Sequence, residues 1–386
     1  MNMAFTGKAT YSAGVALPEL AEDVADLVGV ISPHDAPLLD MLGDPLHEAT
    51  SPRHEWLEDE LLPNKDAIDD DTWVDPDVDT TFNVDHGSRF RVGDQIQVAG
   101  SEELMFVTAV NGNALTVVRG YAGTTAENLA DDQILNILGN AALEGADRPN
   151  ARFTNRLRCA NYAQIFTAAV EVSGSDLAAR QLGLADEMEN QKAARLKELM
   201  RDLENTVING GQAASDPQGS DTVRRTMKGI IQHLSTNIFR TGDSGFPAGT
   251  DLDEAKINYA LRQIWENSSA QVDLIVVGGF QKRKINAFCS DSRRYAPTDT
   301  TFRDHLSEYE SDFGLCRIVT TRWMPHDVVL LLDSSRISVL PLAGRSFHFK
   351  PLASVGDYEC GELIGEYTLE LRNEAAHGII RGLTTS

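Results

Sequence analysis

The chain is 386 residues long, 42% hydrophobic and 24% charged, the composition of an ordinary globular protein with room for two or three domains. Its 58 acidic and 34 basic residues leave a formal net charge of -24, which repels polyphosphate and argues against sequence-reading of DNA, since tight nucleic-acid binding needs clustered Lys and Arg. No apolar run is long enough to span a membrane, and the N-terminus has neither the basic nor the apolar region of a secretion signal, so neither membrane nor export is expected.

The four cysteines, Cys159, Cys289, Cys316 and Cys360, are scattered and form no C-x-x-C pair, which excludes a zinc knuckle and a redox motif and fits synthesis in a reducing cytoplasm. Only nine of the 34 basic residues are Lys, and none lies between Lys65 and Lys192. This habit resembles halophilic proteins, in which molar salt shrinks the Debye length to roughly 3 Å and makes charge crowding tolerable. An acidic protein kept soluble by its charge is the plainer alternative.

Along the chain, residues 18–29 place Leu20, Val24, Leu27 and Val28 on one face behind Pro18 and predict a short amphipathic helix. A second helix is expected from Pro37. Residues 66–85 are acidic and loop-like; Asp75, Asp77 and Asp79 alternate as calcium ligands do, but an EF-hand needs Gly and Glu where Thr80 and His86 stand. Residues 89–138 hold short β-rich runs, with Asn111-Gly112-Asn113 as a hairpin turn, and predict a small barrel inserted in something larger.

Residues 184–208 carry Met188, Leu196, Leu199, Met200, Leu203 and Val207 as a narrow stripe on a charged rod that stops at Asn209-Gly210-Gly211. Asp251 with Glu254 predicts a capped start for a helix bearing Ile257, Leu261, Ile264 and Trp265, followed by a buried strand in VDLIVV and a helix from GGFQKRKINAF. The last 60 residues return to strands. Helix and sheet are segregated, an α+β pattern.

Catalytic signatures are missing. HEWLE at His54 opens like the zinc-protease H-E-x-x-H, but Glu58 occupies the fifth place, so His54 reads as a surface residue. G-x-S-x-G, S-x-x-K, G-x-G-x-x-G and the P-loop do not occur. Adjacent acids such as Glu102-Glu103 are too numerous for any pair to suggest acid/base work. No catalytic, cofactor or metal residue is therefore assigned. The concentrated positive segments are Arg148, Arg152, Arg156 and Arg158, and Lys282-Arg283-Lys284; phosphate contact is one reading, and pairing with the acidic surface of a second copy is preferred.

The order of these elements, with the stretches SPHDAPLLDMLGD, HEWLEDEL, VGDQIQVAGSEELMFVTAVNGNALTVVRGYAGTTA, YESDFGLCRIVTTRWMP and EYTLELRNEAAHGIIRGL, resembles the major capsid protein of tailed bacteriophages with the Hong-Kong-phage shell fold, and more narrowly the family of a large-headed podophage coat protein. The resemblance runs from about residue 30 to the C-terminus. It implies an N-terminal arm (1–50), an extended loop (51–152) carrying the barrel (about 86–140), a peripheral domain (153–225 and 336–386) with a spine helix near 184–208, and an axial domain (226–335). It also implies a non-enzymatic protein that assembles as pentamers and hexamers into an icosahedral or prolate head around the genome.

Trp56 and Leu61 would then anchor the loop on a neighbour, apolar where it meets the next copy and charged where it meets water. Arg119, Tyr121, Asp312 and Phe313 fall in the other matching stretches and are further assembly-interface candidates, beside Arg148, Arg152 and Arg156. Portal, decoration and scaffolding proteins are possible partners, scaffolding coming from another chain; packaged DNA would be met without sequence specificity. Cross-linking between subunits is not expected, because Lys65 is the one Lys of the loop. A virion accessory or tail protein with a carbohydrate-binding β-module and a hydrolase with a dispersed site are the rival readings.

Overall fold

The computed structural model describes residues 35–45, 47–145, 147–148, 151–154, 156–178, 187–269, 271–292 and 308–385. The helix expected over 18–29, and with it most of the arm, lies outside these residues. The chain divides into two units: Leu57–Leu157 forms one, and the residues up to Trp56 together with those from Arg158 form the other.

Helix α1 (Pro37–Leu42) has Pro at its start and ends at Gly43, as the sequence predicts. Strand β1 (Arg53–Glu58) then carries the chain into the inserted unit, and β8 (Leu157–Tyr162), paired with β1, brings it back. Between them lie β2 (Lys65–Ala67), β3 (Thr81–Asn83), β4 (Asp94–Val98), β5 (Leu104–Asn111), β6 (Ala114–Val118) and β7 (Ile134–Asn140), hydrogen-bonded in the order β2-β7-β4-β5-β6-β3. The end strands also meet: Ile68 bridges Val84, and the Asp69 N–H donates to Asn83 O while the Asp85 N–H donates to Ala67 O, at 3.0 and 3.1 Å. The pairing therefore closes into a barrel with no free edge.

Its interior is filled by Ile68, Phe82, Val84, Phe90, Ile96, Met105, Val107, Leu115 and Leu135. Strand β4 shows why the sequence pattern works, since Asp94, Ile96 and Val98 point inward and the two Gln outward. The β5–β6 hairpin turns on Gly112 at φ +62°, and Gly87 lies so close that a Cβ there would stand 1.9 Å from the Gly112 carbonyl oxygen. Strands β2 and β3 fall in the stretch expected to be a connector. They are only three residues each, KDA and TFN, so their sheet pairing is set by barrel closure rather than by propensity.

The other unit continues with β9 (Gln164–Ser173), α2 (Gly174–Ala178), α3 (Glu187–Asn209), α4 (Ile230–His233), β10 (Ile238–Arg240), α5 (Glu254–Asn267), β11 (Leu274–Val277) and α6 (Gly279–Ser292). It ends in β12 (Glu308–Ser311), β13 (Gly314–Thr320), β14 (Val329–Leu332), β15 (Ile337–Pro341), β16 (His348–Leu352), β17 (Tyr358–Leu371) and β18 (Gly378–Arg381). A six-stranded sheet runs β10-β18-β14-β11-β13-β12. Strands β11 and β14, LIVV and VLLL, are buried on both faces, which is why they read as continuous apolar runs. Leu274, Val276, Leu330 and Leu332 meet Leu199, Leu203 and Val207 of α3, while Ile275, Val277, Val329 and Leu331 meet Ile257, Leu261 and Ile264 of α5.

The second sheet of this unit is organised by the 14-residue β17, which pairs with β9 along one edge and with β16 and β15 in turn along the other. Two details of the α-helices differ from the sequence reading. The cap of α5 is Asp253, whose carboxylate accepts the Lys256 N–H at 2.9 Å, while Asp251 pairs with Lys284 at 3.0 Å. Trp265, expected on the buried face of α5, is 61% exposed, one position round the helix from buried Ile264.

Candidate assembly surface

The residues expected at an assembly interface divide into those the chain uses for itself and those it leaves in solvent. Trp56 belongs to the first group. It is 8% exposed, its ring lying 5.9 Å from that of His54 and 6.2 Å from that of His233, so of the two expected anchors only Leu61, 86% exposed, faces water. His54 is likewise corrected from surface residue to half-buried partner: its Nε2 meets Glu370 Oε2 at 2.5 Å, across 316 residues of sequence.

Arg119 is also internal. Its guanidinium grips the buried Glu103 carboxylate at 2.7 and 2.9 Å and donates to the carbonyls of Pro76, Asp79 and Glu127. The Gly120 and Glu127 N–H groups donate to the same carboxylate. Burial pushes the Glu103 carboxyl up, and the Arg119 and N–H hydrogen bonds outweigh it, holding the group below its ordinary value. One of many adjacent acids in the sequence is thus the hub of the barrel's rim. Tyr121 next to it stacks on Phe106 with ring centres 4.9 Å apart.

Three residues of the Arg run meet groups of their own chain. Arg152 donates to the carbonyls of Arg89 and Phe90 at 3.1 and 2.6 Å, Arg156 approaches Asp59 at 3.9 Å, and Arg158 approaches Glu55 at 3.7 Å. Arg148 is exposed. The other basic triplet is divided too, with Lys282 buried, Lys284 paired to Asp251 and Arg283 exposed. Asp312 is exposed at the β12–β13 turn, and the ring of Phe313 beside it lies 5.9 Å from that of Trp265.

Six solvent-facing apolar residues lie where the inserted unit begins and ends: Leu57, Leu61 and Leu62 on the outgoing side, Leu143, Phe153 and Leu157 on the returning side, with Phe153 84% exposed. Six large side chains in two short stretches exceed the scattered apolar exposure normal for a surface. Phe153 was not singled out from sequence, though a Phe among the Arg and Asn of a connector was a usable signal. The barrel adds Val74 and Val78, and the body adds Trp265 and Leu315.

The described start of the chain is fastened to the body. The Glu204 carboxylate of α3, fully buried, accepts the Leu38 and Leu39 N–H groups at the head of α1 at 3.1 and 3.4 Å and the Thr321 hydroxyl at 2.7 Å. Among the described residues no cation pairs with it, and burial raises it to about 7 in spite of these donors. Trp323 Nε1 donates to Asp35 O at 3.1 Å and Arg322 approaches the Asp35 carboxylate at 3.4 Å. Two imidazoles, half-buried His233 and buried His377, are pushed down to about 3 and about 4 by desolvation and so stay neutral at ordinary pH.

A family model described as SU10 major capsid protein matches residues 3–384. Among solved structures, the capsid asymmetric unit of cyanophage A-1(L) is similar at 11% identity and TM-score 0.56, over 96% of this chain and 99% of that one. A capsid chain of the native GTA particle is similar at 12% identity and TM-score 0.52, over 99% and 100%. At such identities the likeness is one of fold. No curated protein matches.

Proposed function

Because this chain belongs to the SU10 major capsid protein family, with the shell fold that the sequence resemblance implies, we propose that it closes the virus head through the apolar ends of its inserted unit. The family makes it a shell-forming structural protein of the virion, which implies a non-enzymatic role. In the finer reading, copies gather as pentamers and hexamers, residues 153–225 and 336–386 form the peripheral domain, and residues 226–335 form the axial one. Assembly begins in the host cytoplasm, portal, scaffolding and decoration proteins come from other chains, and an acidic wall lets packaged DNA slide without sequence-specific contacts.

The observation that carries this is the uncovered set Leu57, Leu61, Leu62, Leu143, Phe153 and Leu157. Covering about 100 Å² of apolar surface is worth roughly 2.5 kcal/mol, so a neighbour that seats two or three of these side chains gains enough for a weak contact, and closed symmetry multiplies weak contacts into a durable shell. Trp56 and Arg119 make their contacts within their own units.

The test is Leu61→Asp with Phe153→Asp, purified and viewed by negative-stain electron microscopy. Neither side chain is in a core, so circular dichroism and the thermal midpoint should match the parent while shells are lost. Parental yields of normal shells would refute the assignment. Arg152 is unsuited to charge reversal, because its loss unties the Arg89 and Phe90 carbonyls and would confuse folding with assembly.

A further inference from the structure

We infer that His47, His54 and Glu370 form a binding site for one divalent transition-metal ion of the zinc class. The three residues come from separate places in the body: His47 from the segment between α1 and β1, His54 from β1, and Glu370 from the long strand β17. Their ligand atoms converge on one point. His47 Nε2 and His54 Nε2 lie 3.4 and 2.5 Å from the same carboxylate oxygen, Glu370 Oε2, and the three atoms fall within 4.8 Å of one another.

Two imidazoles and one carboxylate are a set that zinc uses in sites with an open fourth position, whereas calcium and magnesium take oxygen ligands. With metal–ligand bonds of about 2.0–2.2 Å, neighbouring ligand atoms of a tetrahedral ion stand ~3.3 Å apart. The His47 spacing already fits. The His54–Glu370 hydrogen bond would give way to two metal bonds by an opening of under ~1 Å, within the reach of side-chain rotation. Glu370 is 3% exposed in its side chain and His54 15%, which holds two ligands in place, while His47 at 47% leaves a side open for water as the fourth ligand.

The surroundings are those of a metal site. Arg372 takes the other oxygen, Oε1, and so fixes the carboxylate with Oε2 toward the imidazoles, as outer partners of metal ligands do. The Trp56 ring lies 5.9 Å from the His54 ring, tilted by 30°. The second His and Asp cluster of the molecule, Asp66, Asp85 and His86, differs in the respect that matters: Arg89 occupies the same Asp66 oxygen, Oδ1, that faces His86, at 2.8 Å. A guanidinium already stands there in place of a cation. All three residues belong to the body. A bound ion would staple the root of the inserted unit, at β1, to β17.

The experiment uses the full chain stripped with a chelator and titrated with Zn²⁺ alone against a competing indicator dye, then with Co²⁺ followed by visible absorption. The parent should bind a stoichiometric ion, gain thermal stability with it, and give the intense visible bands of tetrahedral Co²⁺. His47→Ala, at a half-exposed position where truncation spares the fold, should weaken Zn²⁺ by at least ~10-fold and abolish both the bands and the thermal shift. His86→Ala should leave all three unchanged. Absence of stoichiometric binding in the parent, parental binding by His47→Ala, or loss of binding in His86→Ala would each overturn the inference.

Discussion

The barrel and the body each bury a glutamate completely, and they treat it in opposite ways. In the barrel, Glu103 has a guanidinium across its full face and two N–H donors behind it, so its charge is matched and its pKa falls. In the body, Glu204 has two N–H groups and a hydroxyl but, among the described residues, no cation, so burial prevails and its pKa rises to about 7. A matched charge makes a joint indifferent to solution conditions, whereas an unmatched one makes the joint titratable. The barrel rim is therefore a fixed fitting, while the junction of α1 with α3 changes protonation near neutral pH.

The largest effect expected from this contrast is at Arg119. Arg119→Met strands a buried carboxylate together with the carbonyls of Pro76, Asp79 and Glu127, at a cost of about 3–5 kcal/mol. Chemical denaturation followed by a probe in residues 57–157 should show that loss, and a change below 1 kcal/mol would show that the pair is not a structural hub. Next comes Glu204→Gln, which keeps an acceptor for Leu38 and Leu39 and removes the charge. A carboxyl raised from 4.5 to about 7 contributes stability that is complete below pH 4.5 and lost as pH rises through 7, a swing of about 3 kcal/mol. The variant should lose this swing and gain on the parent between pH 5 and 8; parallel stability curves would break the comparison. The smallest is Thr321→Val, which removes one donor to the charged form. It should cost about 1.5 kcal/mol at pH 8, cost less at pH 5, and move the titration midpoint upward.

The parts of the fold that were legible in the sequence are those set by local signals. Asn111-Gly112-Asn113 declared its hairpin because a left-handed Gly is needed there, α3 stopped at its Gly pair, and LIVV and VLLL announced strands buried on both sides. Strands whose partners lie far off were missed: β2 and β3, closing the barrel through Ile68 and Val84, and β9, matched to β17 over ten residues about 190 positions away. The same limit governed the sites. His54 read as a surface residue since Glu370 is 316 residues away, and Trp56 read as an anchor since the helix that bears His233 could not be placed beside it. Arg152 and Arg156 were seen as a basic run, but a run says nothing about the carbonyls and carboxylates that receive it. Charge count and family likeness carried the functional reading; the exposed apolar ends of the insertion needed coordinates.

One feature of the architecture bears on how such shells diversify. Strands β1 and β8 are hydrogen-bonded neighbours, so the polypeptide departs from the body and re-enters it at points roughly 4.8 Å apart. Residues 57–157 therefore behave as a cassette in a socket: a short turn could replace them, or another small domain with adjacent termini could be spliced in, without disturbing either sheet of the body. Foreign domains grafted at this doorway would be repeated on every copy, turning one coat gene into a display platform.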